Sequence, residues 1–501
     1  MRGVLIGLGV LAAGFLALAI PLPPPSVPEA PERGGGFGWR QDAFWDELER
    51  RYVAARAASC DDGSVAAAVE ALSSALRDLP DTIAPRSVHM DTLETSLFTV
   101  GALVAACPAA LDGYLQVTAD LRRVIKRRSR QWRVNDPAVR DRLYRALYGG
   151  RAAAEEVMLQ HPDRLVPLVT GVDEPSSTPS AVVRGVRIHS GDLLVSRGGY
   201  PTSALIARGN DYPGNFSHIA LVHVDSATHE VSVIEAHIAR GVAIGTAEQY
   251  LNDKKLRMMV LRPRADLPQL MADPLLPHRA ATLSLQRART EHIPYDFEMD
   301  YDDPQKLFCS EVASSVYRQL GVPLWTGLST ISAEGLRRWL ASFGVRHFET
   351  QEPSDLEYDP QLVVVAEWRD PESLRRDHID NATIDAMLEG ANRGDKLSFS
   401  WYHLPLARAA KAYSWVVRRF GAYGPIPEGM TPTAALRSQA FSARQLRMAD
   451  DVDGRARTLE AEQGYPPPYW VLLELARAAR DQLPATSVPG IDSAVAPVRS
   501  P

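Results

Sequence analysis

The sequence predicts an α+β domain set between two α-helical ones, and three changes of texture along the chain predict it. From Trp39 to about Gln160, apolar residues recur at helical spacing, as in "AFWDELERRYVAARAA" and "AVRDRLYRALYGGRAAAEEVML". Near residue 171 the Pro/Ser-rich break "GVDEPSSTPSA" opens a region of short runs rich in Val, Ile and Leu, which read as strands. Past residue 375 the helical pattern returns through "RAAKAYSWVVRRFGAYG" and "PPYWVLLELARAAR". A chain of 501 residues exceeds one core, and ordinary domain sizes divide it into about two to four.

Taken in order, the chain opens with "MRGVLIGLGVLAAGFLALAI", one arginine followed by an uncharged, mostly apolar run from Gly3 to Ile20. This is close to the ~20 residues a helix needs to cross a bilayer. Ala17 and Ala19 form an A-x-A pattern, but Pro21 follows closely, so residues 1–20 are expected to stay as an uncleaved export signal and membrane anchor. Residues 21–37, "PLPPPSVPEAPERGGGF", form an extended linker. A helical domain follows over 38–171, then the α+β domain over 172–375, a second helical domain over 376–482 and a disordered Pro/Ser/Ala tail over 483–501. There is no internal repeat.

Composition excludes little, since 45% hydrophobic and 23% charged residues are globular values. The formal charge of -6 gives no overall attraction to nucleic acid, and no nucleic-acid partner is expected. Residues 122–133, "RRVIKRRSRQWR", concentrate basic side chains, read either as a solvated helix face or as a contact for anionic lipid headgroups beside the tether.

Within the α+β domain the strand readings are "GDLLVSR", "HIALVHVD", "VSVIEAHI", "MMVLRP" and finally "QLVVVAEWRD". Helices are expected from Pro277 to Glu291, from Cys309, and over "SAEGLRRWLASFG". Three cysteines in an exported chain leave one over. Cys60 and Cys107 share the helical domain and are expected to form a disulfide, although spacing alone does not fix connectivity. Cys309 is then free, opening the helix of "KLFCSEVASSVYRQLG". It reads either as a small buried hydrophobe or as a nucleophile whose thiolate is favoured by the positive end of that helix and so alkylates quickly.

The choice turns on a partner base. The segment from Asn215 to Ile238 reads as a hairpin with its turn near Ala227 and Thr228. With Asp225 facing Glu230, Ala220 lies opposite Glu235, and His218 and Glu235 become diagonal neighbours on one face. That provides the base and the orienting acid of a Cys-His-acid site. His223 falls on the other face and His229 in the turn, both read as structural, while His237 is a weaker rival for the base. The spacing of these histidines matches no common metal site, and no metal or cofactor is expected.

These residues carry a resemblance. "GDLLVSR", "FSHIALV", "VIEAHIARGV", "YDFEM" and "FCSEVASSVYRQLG" resemble the YiiX-like branch of the NlpC-type cysteine hydrolases, a circularly permuted papain-like fold in which the histidine precedes the cysteine. The branch is related to the lecithin retinol acyltransferase-like enzymes. The similarity spans roughly residues 180–370. It implies Cys309 as nucleophile, His218 as general base and Glu235 as the orienting residue, the position at which members vary. It aligns Tyr295 and Asp296 with a "YD" before the cysteine that lines the cleft, with aromatic core and surface charge as the equal alternatives for the two residues. Gly191 and Asp192 match a "GD" before the first strand, read as a tight turn with an Asx-type cap. The expected protein is a membrane-associated hydrolase on the periplasmic or outer face of the cytoplasmic membrane. Its expected substrates are peptides or amides, with lipid acyl esters or amides as the alternative, or it is a non-catalytic binding protein that retains the fold.

Overall fold

The computed structural model describes residues 18–21, 27, 43–58 and 60–482. Most of the apolar N-terminal segment and of the linker, and the tail from 483, lie outside the described residues. Among the described residues no single helix is long and apolar enough to cross a membrane; Val88–Ala106 and Pro108–Gln131 meet that test only together, as a pair bent by 118°.

The first helical region contains α1 (Ala43–Ala57), α2 (Asp62–Arg77), α3 (Val88–Ala106), α4 (Leu111–Arg128), α5 (Pro137–Leu143) and α6 (Gly150–Gln160). Asp61 starts α2 by accepting the backbone N–H groups of Gly63 and Ser64, which otherwise have no partner in the first turn. Cys60, just before it, is joined to Cys107 at the end of α3. The covalent link therefore ties the start of α2 to the end of α3.

Eleven strands follow among the described residues: β1 (Leu168–Thr170), β2 (Ser180–Val183), β3 (Val186–His189), β4 (Leu193–Gly198), β5 (His218–Val224), β6 (Val231–His237), β7 (Gly241–Thr246), β8 (Lys255–Pro263), β9 (Ser329–Thr330), β10 (Glu349–Thr350) and β11 (Leu362–Arg369). Seven of them form one sheet in the order β1-β11-β8-β4-β5-β6-β7, with every neighbouring pair antiparallel. The sheet reaches back past the Pro/Ser break, because Leu168–Thr170 pairs with β11. A three-residue edge strand carries no alternation that a sequence could show.

Between and after the strands lie α7 (Pro201–Arg208), α8 (Ala247–Asn252), α9 (Pro268–Ala272), α10 (Leu276–Thr290), α11 (Cys309–Gln319), α12 (Glu334–Phe343), α13 (Asp355–Tyr358), α14 (Pro371–Asn392), α15 (Leu404–Arg418), α16 (Pro432–Gln463) and α17 (Tyr469–Gln482). One face of the sheet, with Leu193, Val195, Ile219 and Leu221, shares a continuous core with α11 and with the N-terminal helices. The other face packs Ala220, Val222 and Val233 against Tyr250 of α8. The C-terminal helices have their own core with α7 and α12.

Buried charge joins all three regions. Arg257 of β8 pairs with Glu155 of α6 at 2.5 Å and with Asp377 of α14 at 2.5 Å, and Arg197 of β4 pairs with Asp377 at 3.1 Å. All four side chains are essentially inaccessible to water. Charges so enclosed persist only because each has its counterion.

Candidate active site

The hairpin of β5 and β6 sets the geometry. Asp225 accepts the N–H groups of Ala227 and Thr228, closing the turn where the sequence places it, and Ala220 pairs with Glu235. His218 and Glu235 are then diagonal neighbours on one face, and they meet: His218 Nε2 lies 2.6 Å from Glu235 Oε2. The second carboxylate oxygen is 3.0 Å from His237 Nε2. Glu235 thus bridges two imidazoles, which assigns His237 a place beside the acid rather than the role of rival base. With Nε2 of His218 engaged, Nδ1 is the nitrogen left for proton exchange.

Cys309 is the first residue of α11, which is held in place at several points. Glu311 accepts the N–H of Phe308 across the first turn, Val312, Ala313 and Val316 pack into the same core as Ile219 and Leu221, and the Tyr317 hydroxyl donates to the carbonyl of Gly191 at 2.6 Å. The β5–β6 ladder ends at Ala220, and the thiol enters where the strands part. Its Sγ is 3.8 Å from the Ser217 carbonyl oxygen and takes the N–H of Ile219. Cys309 therefore lies against the backbone on both sides of His218.

Electrostatics corrects one expectation. Burial, with Cys309 only 4% exposed, pushes its thiol up to about 12, against the pull of the Ile219 N–H and reinforced by the Glu352 carboxyl. Such a rise opposes ionisation by roughly 4 kcal/mol, whereas a helix terminus contributes about 0.3–2 kcal/mol. Desolvation wins, and the resting thiol is neutral rather than a favoured thiolate. Burial also lowers His218, with Glu235 opposing, so the imidazole is neutral too. Burial would raise Glu235, but the hydrogen bonds and charges of His218 and His237 outweigh it and hold the carboxyl well below the usual carboxylate range.

Three further groups surround this pair. Tyr250 lies beside the His218 ring, with centroids 6.4 Å apart, and donates to Ser196 Oγ at 2.9 Å; Ser196 faces His218 across β4 and β5. Tyr295 interacts electrostatically with Cys309 and is raised well above its ordinary value by burial. Glu352, buried and likewise raised by its burial, interacts electrostatically with Cys309 from the segment just before α13. Sequence reasoning found neither Tyr250 nor Glu352, since each stands in a short stretch with no motif of its own.

The remaining sequence candidates take structural places. Asp296 is fully buried and accepts the backbone N–H groups of Glu298 and Asp300. This corrects its expected contact with substrate: its oxygens shape the loop after Tyr295 and have no open face. Asp192 accepts the His189 N–H and two bonds from Arg262 at 2.8 Å each. Gly191 has φ +98, and a Cβ there would lie 2.3 Å from Pro277 Cβ, so the turn admits only glycine. His223 lies 5.2 Å from His278, ring to ring, away from the site, and His229 Nδ1 meets the Ser180 carbonyl in the turn. Among the described residues one group, Cys60, Asp62 and Cys107, has the compactness of a metal site, but its sulfurs are joined to each other.

Residues 187–366 match the model of a family described as permuted papain-like amidase enzymes, YaeF/YiiX, C92. The matched stretch carries Cys309, His218, Glu235 and Tyr295, and the flanking helical regions fall outside it. No curated protein and no solved structure matches the chain.

Proposed function

With residues 187–366 forming a permuted papain-like domain of that amidase family, we propose that the chain is an exported, membrane-associated cysteine amidase acting on amide or peptide bonds through a thioester on Cys309. The observation that carries the reading is the placement of the Cys309 thiol at the Ile219 N–H, beside a His218 whose Nε2 is fixed by Glu235. Export and membrane association rest on the apolar run from Gly3 to Ile20.

In the acylation step His218 Nδ1 takes the Cys309 proton as Sγ attacks the carbonyl carbon. Glu235 stabilises the imidazolium that forms, as a third residue does in such sites. The Ser310 N–H in the first turn of α11, which already reaches the thiol, is the backbone donor proposed for the developing oxyanion. Collapse breaks the C–N bond, and the departing amine takes the proton from His218. Water then attacks the thioester, giving its proton to His218, and a carboxylic acid leaves as the thiol is restored.

The test is intact-mass analysis of the full chain, quenched in acid after exposure to membrane and cell-wall extracts. An acyl adduct mapped to Cys309, lost in Cys309→Ala and strongly reduced in His218→Ala, is the expected result, and its mass identifies the acyl group. An adduct that persists in water and leaves only on adding an amine or alcohol would make the enzyme an acyltransferase. Amide cleavage by Cys309→Ala at the wild-type rate would overturn the proposal.

A further inference from the structure

A cavity of about 190 Å³ lies at the opposite edge of the sheet from His218 and Glu235, between α4 and the strands β1 and β11. Six basic side chains line it, Arg122, Arg123, Lys126, Arg127, Arg130 and Arg264, against one carboxylate, Glu174. The basic run of residues 122–133 is therefore not simply a solvated helix face. Part of it anchors α4 to the sheet: Arg122 pairs with buried Glu367 at 2.9 Å, and buried Lys126 donates to the carbonyls of Glu357 and Asp359. Of the rest, Arg123 pairs with Asp120 at 2.7 Å, and the others are under-compensated. Arg130 and Arg264 share Asp266, the Glu174 carboxylate is occupied by the Ala265 N–H, and Arg127 has no hydrogen-bond or ion-pair partner among the described residues. Burial together with the neighbouring Arg122 and Arg264 pulls Lys126 down to about 7, with Asp359 opposing.

We propose that this cavity binds the phosphate group of an amphiphilic phosphate ester. Several guanidinium forks around one cavity call for an anion with more acceptor oxygens than a single carboxylate offers, and planar forks match phosphate. Between the cations the wall is Ala119, Val172, Val363 and Val364, which suits an apolar portion of the same ligand. The source is either an anionic lipid headgroup or a free phosphate ester. The site is independent of Cys309 chemistry.

The test uses the full chain with two probes, sn-glycerol 3-phosphate by calorimetry and vesicles of phosphatidylglycerol in phosphatidylcholine by co-sedimentation. Because the apolar N-terminal segment itself favours vesicles, each vesicle measurement is a comparison of wild type with the double variant Arg127→Gln, Arg130→Gln, and of anionic with pure phosphatidylcholine vesicles. Saturable one-to-one binding of glycerol phosphate, weakened by salt and by about tenfold or more in the double variant, is expected, the size of one lost charge-assisted hydrogen bond. The exposed pair Arg338→Gln, Arg346→Gln should leave it unchanged. Loss of the anionic-vesicle preference in the double variant identifies a lipid headgroup as the source; an equal vesicle preference with impaired glycerol phosphate binding identifies a free ester. Absence of saturable binding to both probes, or equal binding by wild type and the double variant to both, overturns the proposal.

Discussion

The state of the Cys309 thiol before substrate arrives decides how the proposed enzyme works, and it is measurable on one sulfur, because the other two cysteines are bonded to each other. A group pushed up to about 12 is about 10⁻⁵ thiolate at pH 7, against about 3% for a free thiol of pKa about 8.5. The higher-pKa thiolate is intrinsically more nucleophilic, and a Brønsted slope of about 0.4–0.5 recovers roughly one and a half of those three and a half decades. A small disulfide reagent should therefore react with Cys309 about a hundredfold more slowly than with free cysteine at pH 7, and more slowly still because the sulfur is enclosed. The rate should climb tenfold per pH unit to beyond pH 10 without a plateau. His218→Ala should leave this resting rate nearly unchanged, since a neutral imidazole holds no thiolate, while it abolishes acylation by substrate. A plateau between pH 6 and 8 at or above the free-cysteine rate, lost in His218→Ala, would show a preformed thiolate–imidazolium pair and refute the reasoning.

Three other outcomes are expected. Glu235→Gln keeps a hydrogen-bonding partner but loses the charge that stabilises the imidazolium, so acylation of Cys309 should slow about thirtyfold, the equivalent of ~2 kcal/mol, while His223→Ala leaves the rate within twofold; quenched-flow mass measurement of the adduct reads both. Asp377→Ala leaves Arg197 and Arg257 buried without their shared counterion and should lower unfolding stability by about 3–5 kcal/mol in denaturant titrations. Replacing both Cys60 and Cys107 by Ala opens a loop of 47 residues and should destabilise by about 4 kcal/mol on the chain-entropy account, read as an earlier unfolding transition of the N-terminal helices.

The hairpin was legible in the sequence because its physics is local. A turn at Ala227 and Thr228 fixes the register, and the register alone brings His218 to Glu235. The helix at Cys309 was legible for the same reason. What the sequence could not carry was the dielectric. The sign of the thiol's shift depends on Ile219, Glu352 and the packing that leaves Cys309 enclosed, groups brought together by the fold from three separate segments. Asp296 was misread because a motif position says which residue is present, not whether its oxygens are already taken by Glu298 and Asp300. Tyr250 and Glu352 gave no periodic or spacing signal, and only the tertiary fold places them beside His218 and Cys309.

The flanking helical regions, which the family match leaves out, acquire a physical task from the buried charges. Arg197 immediately follows Ser196, the residue that faces His218 across the sheet and accepts the Tyr250 hydroxyl, so whatever fixes Arg197 also fixes the strand beside His218. It is fixed by Asp377 of the C-terminal region. Arg257 lies opposite it on β8 and is fixed by Asp377 together with Glu155 of the N-terminal region. A sheet carrying these two arginines has no internal carboxylate in these pairs, and each guanidinium left unpaired in the interior would cost several kcal/mol. The matched domain thus has its charge balance completed from both sides, with the neutralising carboxylates supplied by helices far away in sequence. The strand that faces His218 is thereby tied through paired buried charges to helices outside the matched stretch.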